Sequence, residues 1–313
     1  MKTKFAIGCL VQWYECDIIG EYVESLKDAI KNYDGEVITD FTIVTNEDLE
    51  KCISTKKKNE CIEKIGSTLL DFNNVRITNK LHTIADYRRE FNDKYCEHVD
   101  VLVWGESDML APQQMFTILD SLHQNTSTPK YLATFGTCKM WDDTWKPLEH
   151  SEFTNHKHSD DPNDWWGLNY VMSKKEMNIF NSKVEELTVT QITPHKFNGC
   201  GLVISSEVIK SGVNIPRSVF FVHEDTAFML MTQKILGNIP QYHFKNILLV
   251  HNRKRMDKRV HVKGESGKTM GQLRESNKWY QISNQMCEKN CYNLFNPNYK
   301  SFTWGDVWMS LKN

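Results

Sequence analysis

The stretch DVLVWGESDMLAP, residues 100–112, places a short apolar run directly before two carboxylates, Glu106 and Asp108. Four consecutive apolar residues bounded by polar ones are typical of a strand that is buried on both faces. Ligands of open α/β sheets bind beyond the carboxyl ends of the strands, and two acids one residue apart can approach one hard cation. The alternative is that Ser107 and Asp108 cap a following helix that has Pro112 in its first turn.

Strands and helices alternate through most of the chain. A strand at 5–12, an amphipathic helix at 22–33 and a strand at 41–46, joined by short connections, predict a β-α-β unit and a largely parallel sheet. Further helices are predicted within 47–72 and at 83–95, 115–122 and 223–237, and further strands at 74–78, 130–137 and 246–252, with a glycine turn, a strand and a helix start within 197–209.

Two segments depart from this alternation. Residues 137–170 are rich in Trp, Asp, His, Asn and Pro without a clean period, which is typical of a binding loop or an irregular insertion. The tail from Arg253 is first basic and then aromatic. We therefore expect one catalytic or binding domain at 1–252 and an extension at 253–313 that packs on it.

Composition limits the class of protein. The chain has 313 residues, 40% of them hydrophobic, and a net charge of −2, so contact with a polyanion would need a local basic patch. Its nine cysteines include no C-x-x-C pair, which favours reduced thiols in a cytoplasmic protein. No apolar run approaches the ~20 residues of a membrane span, and the N-terminal apolar stretch is interpreted as the first strand rather than a signal peptide.

Three further polar features accompany the acidic turn. Arg88 and Arg89 lie on the predicted helix before the acidic strand and could hold a nucleotide phosphate or brace the acidic turn. Glu224 and Asp225 begin a predicted helix, where they are either caps or, on a rigid element facing a cleft, suited to general-base catalysis. His251 directly follows the apolar run ILLV and could supply a nitrogen ligand to a metal at Asp108.

The order of these motifs resembles that of the GT-A glycosyltransferases, particularly family 2, over roughly residues 5–255. The matching segments are IGCLVQWYE and EYVESLKDAI at the opening, ADYRREFND, the triplet ESD in place of DxD, NGCGLVISSEVI, HEDTAF and LLVHN. The resemblance implies a Rossmann-like GT-A fold with a mixed, mostly parallel central sheet flanked by helices. It also implies inverting, metal-dependent transfer of a sugar from a nucleotide-sugar, with a UDP-sugar and Mn²⁺ or Mg²⁺ as the default partners. One departure is Glu106, where the family has Asp.

The resemblance also implies roles for individual residues. Asp225 would be the catalytic base with Glu224 in support, and Asp108 and His251 would bind the metal, with His261 as a rival to His251. The donor side would comprise Gln12, Arg88, Arg89, Glu106, Ser107, Asp108 and Lys263. The acceptor side would comprise Trp165, Trp166, Gly199 and Gly201.

The basic run at 251–268 holds seven Lys or Arg residues against two acids. It overlaps GESGKT at 264–269, which looks like the end of a phosphate-binding P-loop. Val262 stands where that motif requires its first glycine, so an NTPase is rejected. Two functions remain open for the run: a clamp on the donor diphosphate, or a contact with the phosphates of a nucleic-acid acceptor.

In overall character the chain is similar to the phage enzymes that glycosylate hydroxymethylcytosine in DNA, including the arabinosyltransferases of T-even-like phages. This resemblance implies modified double-stranded DNA as acceptor, UDP-arabinose or UDP-glucose as donor, and the host cytoplasm as location. The Trp-rich segment would then stack on a sugar or an extruded base. The alternatives are a transferase that acts on a surface glycan or a small molecule, and a non-catalytic sugar- or nucleotide-binding module in which the acids are only caps.

Overall fold

The computed structural model describes residues 1–136, 172–192, 197, 199–251, 260–264, 278, 280–283, 285–286 and 298. The described elements, in chain order, are β1 (Phe5–Gln12), α1 (Ile19–Lys31), β2 (Val37–Val44), α2 (Thr55–Thr68), β3 (Val75–Thr78), α3 (Ile84–Tyr95), β4 (Val101–Trp104), β5 (Met109–Leu110), α4 (Met115–Asn125), β6 (Leu132–Phe135), α5 (Lys174–Asn181), β7 (Val189–Gln191), β8 (Val203–Ser205), α6 (Ser206–Lys210), α7 (Glu224–Leu236), β9 (Gln241–Phe244) and β10 (Val250–His251).

Eight strands of the described chain form one mixed sheet in the order β3-β2-β1-β4-β8-β6-β9-β7. The β3, β2, β1 and β4 strands are mutually parallel, and β6 and β9 run in the same direction as they do. Only β8 and β7 are reversed among these eight. The predicted mixed, mostly parallel sheet is therefore confirmed.

The sheet is covered by helices on both faces, which explains the continuous apolar sequence of β1. Phe5, Ile7 and Val11 belong to one buried cluster, together with residues of α1, α2 and α4. Ala6 and Leu10 belong to a second cluster, together with residues of α3, α6 and α7. Alternate residues of a strand point to opposite faces, so a strand covered on both faces needs apolar residues throughout.

The α3 helix begins with a capping box and is tied to the sheet by a buried hydrogen bond. Thr83 and Asp86 form a capping box at its start, which satisfies backbone N–H groups that the helix itself cannot pair. Further along, the buried Asn92 side chain accepts a hydrogen bond from Trp104 Nε1 at 2.9 Å. The hydrogen bond between Asn92 and Trp104 joins α3 to β4, and Arg88 lies between Asn92 and the capping box on the helix.

One alternative is excluded and one local prediction is wrong. The acidic turn does not cap a helix, because the chain continues from it into β5 and α4 begins only at Met115, with Gln114 as its N-cap. The predicted last strand at 246–252 is reduced to Val250–His251, which pairs antiparallel with β5 instead of joining the central sheet. The elements β5, α5, β7 and β9 were not predicted.

The Trp-rich insertion and most of the predicted extension at 253–313 lie outside the described residues. Described residues of the extension contact the main body. Val262 forms a backbone bridge with Cys52, and the Ser283 hydroxyl accepts a hydrogen bond from the Val222 N–H at 2.9 Å. Within the described ranges, no helix combines the length and the apolar character needed to cross a membrane.

Candidate active site

Arg88 is the centre of a buried network at the end of β4. Its side chain is only 2% exposed. Nη2 lies 2.7 Å from Glu106 Oε1 and donates to the Gly199 carbonyl oxygen at 3.1 Å, while Nη1 forms a short ion pair with Glu224. The guanidinium carbon lies 4.7 Å from the centre of the Trp104 ring, an arrangement that adds a cation–π attraction. Arg88 therefore braces two carboxylates, which was one of the two predicted roles, and its burial makes it a poor candidate for direct phosphate binding.

Gly199 permits this network because it has no side chain. A Cβ atom at Gly199 would overlap the Arg88 guanidinium. The Gly199 N–H donates to Asp225 Oδ2 at 3.1 Å, so the same residue contacts both Arg88 and Asp225. Gly201 follows with φ of 69°, in the left-handed region that glycine adopts readily. Of the two predicted acceptor-side glycines, Gly199 thus leaves room for the Arg88 side chain, and Gly201 adopts a left-handed backbone conformation.

The two acids at the start of α7 have different surroundings. Glu224 is buried and paired with Arg88, whereas Asp225 is half-buried. Burial raises the pKa of Glu224; Arg88 opposes the rise and the neighbouring Asp225 adds to it. His223, which precedes them, has φ of 65° and ψ of 20°, a strained conformation for a residue with a side chain. Residues strained in this way are found mostly at functional sites.

The β5–β10 ribbon brings His251 to the acidic turn. His251 pairs with Met109 in this ribbon, and its Nε2 lies 3.0 Å from Glu106 Oε2 and 3.4 Å from Asp108 Oδ1. Burial disfavours the charged imidazole, but attraction by Asp108 and Glu106 outweighs burial and raises the pKa of His251 to about 9. Burial likewise disfavours ionised Glu106, but His251 and then Arg88 lower its pKa to about 2.

This cluster has the donor atoms for a divalent cation. Glu106, His251 and Cys200 each offer one ligand atom, and these atoms all lie within 4.8 Å of one another. Asp108 adds a further carboxylate beside His251. Carboxylate oxygens suit Mg²⁺ or Mn²⁺, while imidazole and thiolate suit softer divalent metals. The residues present therefore fit a divalent metal ion. Cys200 was not singled out from the sequence, because a lone buried cysteine is ordinarily a packing residue.

Three predicted donor-side residues have the following surroundings. Gln12 is half-buried at the carboxyl end of β1, where its backbone N–H donates to Glu15 Oε2 at 2.8 Å. Ser107 is buried between the two acids of the turn. Lys263 is exposed, and its backbone N–H donates to the Lys51 carbonyl oxygen at 2.7 Å.

Arg89 departs from the prediction of donor binding. Its guanidinium donates to the carbonyl oxygens of Ile215, Pro216 and Val219 at 2.8 to 3.0 Å and to the Asp86 carboxylate at 3.0 Å. Adjacent residues on a helix point in directions about 100° apart, so Arg88 and Arg89 cannot serve the same site. Arg89 instead holds the loop that follows α6.

His261 also departs from its predicted role as the rival metal ligand beside Asp108. Its Nε2 lies 3.3 Å from Asp17 Oδ2, in the loop after β1, and it groups with Cys16 and Cys61. His251, not His261, is the histidine that contacts Asp108. The predicted acceptor-side residues Trp165 and Trp166 and most of the basic run lie outside the described residues.

Comparison with known proteins found only distant similarity. No family model matches the chain, and no curated protein matches it. Among solved structures it is similar to residues 1–349 of S. aureus TarS, with 11% identity, a TM-score of 0.43, and coverage of 95% of this chain and 75% of that one. The same TarS fragment in complex with UDP-GlcNAc has 10% identity and a TM-score of 0.40, and the match covers 79% of this chain and 57% of that one. Glucosyl-3-phosphoglycerate synthase from Mycobacterium tuberculosis, in complex with Mg²⁺ and UDP, has 11% identity and a TM-score of 0.42. That match covers 82% of this chain and 74% of that one. With these TM-scores all below 0.5, the similarities do not assign the chain to a family.

Proposed function

We propose that this chain is a GT-A-type glycosyltransferase that moves a sugar from a nucleotide-sugar to a hydroxyl acceptor, with inversion at the anomeric carbon. The observation that carries the proposal is the convergence of two acidic groups on Arg88. Glu106, next to Asp108 and His251, lies on one side of the guanidinium, and Glu224, next to Asp225, lies on the other. Acids from two distant parts of the chain and a histidine from a third thus meet at the carboxyl end of a buried parallel strand, where ligands of such sheets bind.

The donor side is the group of Glu106, Asp108 and His251. These residues would hold a divalent cation, and such an ion neutralises a diphosphate and the charge that grows on the leaving nucleotide. Arg88 donates a hydrogen bond to Glu106 Oε1, while Oε2 of the same carboxylate faces His251. Arg88 therefore positions Glu106 so that its second oxygen stays at the ion site.

The acceptor side is Asp225, which is better suited than Glu224 to act as the base. Glu224 is buried in its ion pair with Arg88 and serves as a positioning residue. Asp225 is half-buried, and hydrogen bonds from the Gly199 and Thr226 N–H groups hold its carboxylate in place. Its carboxylate takes the proton of an acceptor hydroxyl as that oxygen attacks the anomeric carbon, while the bond from the sugar to the nucleotide breaks. One displacement of this kind inverts the anomeric centre.

The test is a matrix of nucleotide-sugars against three kinds of acceptor, with Mn²⁺ or Mg²⁺ present. The acceptors are duplex DNA that contains hydroxymethylcytosine, a bacterial surface glycan and small alcohols. Release of nucleoside diphosphate together with the mass of the product identifies the pair. We expect transfer from a UDP-sugar. With DNA as acceptor, binding should fall steeply as salt rises, because phosphate contacts release counterions.

A matched pair of variants separates a catalyst from a binding module. Asp225→Asn should keep donor binding and lose turnover by ~10²-fold or more, the range for general-base catalysis. Asp34→Asn, at an exposed acid that pairs with Lys2, should leave turnover unchanged. Donor binding without turnover by the unmodified chain across the whole matrix would identify a binding module, and full turnover by Asp225→Asn would exclude Asp225 as the base.

A further inference from the structure

A second group of metal-ligand side chains lies apart from the candidate active site. It consists of Cys16 in the loop after β1, Cys61 on α2 and His261 in the segment 260–264. Each of the three offers one ligand atom, and these atoms all lie within 4.8 Å of one another. Three ligand-type residues from three distant parts of the chain thus meet at one point.

Backbone pairing fixes the position of His261. An antiparallel bridge joins Val262 to Cys52, and on either side of it the Ile53 N–H donates to the His261 carbonyl oxygen at 3.1 Å and the Lys263 N–H donates to Lys51. Val262 is buried in a small cluster with the aromatic residues of the loop after β1. His261 is therefore held over this loop by contacts that need no metal.

The two thiols are buried and close together. Cys16 is 4% exposed and Cys61 is 3% exposed, and their Sγ atoms are 3.0 Å apart. A disulfide requires ~2.05 Å. Tetrahedral zinc, with Zn–S bonds of ~2.3 Å, places its ligand atoms roughly 3.8 Å apart, which small rotations of the two side chains would reach.

The chemistry of the group favours zinc over a disulfide. A disulfide would use only the two sulfur atoms, whereas a metal ion would use the His261 imidazole as well. Two thiolates and one imidazole are ligands that zinc prefers, and the two thiolates cancel the charge of the ion, which lowers the cost of burying it. Asp17 lies 3.3 Å from His261 Nε2, and a carboxylate beside a metal-binding histidine orients the ring.

We propose that Cys16, Cys61 and His261 bind a structural zinc ion, with Asp17 as the residue that positions the imidazole. The ion joins the loop after β1, the α2 helix and the segment 260–264. This site is independent of the proposed glycosyl transfer, and its test does not use activity.

The first experiment is titration of the full-length, metal-free chain with Co²⁺, a spectroscopic substitute for zinc. Thiolate-to-cobalt charge-transfer absorption should appear and should be displaced by one equivalent of Zn²⁺. Cys61→Ser and His261→Asn should lose the absorption or shift it strongly. Cys96→Ser, at a buried thiol near the end of α3, is the matched control and should leave it unchanged. Absorption that survives Cys61→Ser but disappears in Cys200→Ser would place the metal at the acidic cluster and overturn the proposal.

A second experiment needs no variant and therefore does not depend on whether a variant folds. The unmodified chain, purified anaerobically, is alkylated with and without a zinc chelator, and each thiol is followed by peptide mass spectrometry. At free zinc of 100 times the Kd, Cys16 and Cys61 should react roughly 100-fold more slowly than in chelator, because only the metal-free fraction reacts. Cys96 should show no such change. Equal rates with and without chelator, or a Cys16–Cys61 disulfide in the anaerobic protein, would refute the zinc site.

Discussion

Replacement of Arg88 by methionine should be among the most destabilising single changes in this chain. Methionine keeps apolar contact with the Trp104 ring but removes both ion pairs of the guanidinium. Glu106 retains His251 as a partner, so the main loss falls on Glu224, whose side chain is only 9% exposed. Removal of one partner of a buried ion pair costs about 3–5 kcal/mol, and we expect the free energy of unfolding to fall by that amount.

Urea denaturation, followed by tryptophan fluorescence, measures this loss, provided that the m-value is unchanged. The control is Lys57→Met, which removes an exposed pair with Glu60 and should leave the free energy of unfolding nearly unchanged. The double change Arg88→Met with Glu224→Gln should recover a large part of the loss, because it removes the uncompensated charge. A loss of under about 1 kcal/mol for Arg88→Met, equal to that of the control, would refute the reasoning.

The pH dependence of the Arg88→Met loss has a definite sign. Burial already raises the pKa of Glu224, and Arg88 is the group that most strongly opposes this rise. Without Arg88 the pKa of Glu224 should rise further. A carboxyl whose pKa is higher in the folded than in the unfolded state stabilises the protein at low pH and loses that effect as pH rises through the folded pKa. The loss of stability should therefore be larger at pH 8 than at pH 5. A loss that grows toward pH 5 would contradict this account.

Three further predictions concern the site and its support. Asp108→Ala should weaken metal-dependent donor binding by at least ~10-fold in a calorimetric titration, and chelator should remove the same binding from the unmodified chain. Equal binding by the variant, the chelator-treated chain and the untreated chain would exclude the metal site. Gly199→Ala should lower the free energy of unfolding by about 1–3 kcal/mol in urea, because the new methyl group overlaps Arg88; unchanged stability would show that the guanidinium moves freely. Thr83→Ala should cost about 0.5–2 kcal/mol in the same assay by removing the capping box with Asp86, and Thr83→Ser should restore most of it.

The parts of the fold that follow from local pattern were predictable from the sequence. The β1 and β4 strands were predicted at the residues where they occur, because their unbroken apolar runs are what burial on two faces requires. The β9 strand was missed for the opposite reason. Its residues Gln241 and His243 are polar yet buried, so the four-residue strand QYHF has no continuous apolar run. Burial there depends on pairing with β6 and β7, which are distant in sequence.

The candidate site was predictable as a set of residues but not as a network. The acids at 106, 108, 224 and 225 and His251 were chosen from their positions at the ends of predicted elements, and the structure brings them together. Two facts required coordinates. The β5–β10 ribbon has only two residues in each strand, too few for any periodic signal. The different surroundings of Arg88 and Arg89 depend on the angle at which α3 lies on the sheet, which no local pattern encodes.

The β5–β10 ribbon has a consequence for the order of events during protein synthesis. Its two strands are about 140 residues apart, so their pairing closes a long loop and contributes few contacts in return. At translation rates of about 5–20 residues per second, they leave the ribosome on the order of 10 seconds apart. The β1, β2 and β4 strands emerge before that and can form their parallel core with the acidic turn still lacking its histidine. If His251 holds an ion as proposed, that ion can bind there only after residue 251 has been synthesised, when the N-terminal strands have had time to pair.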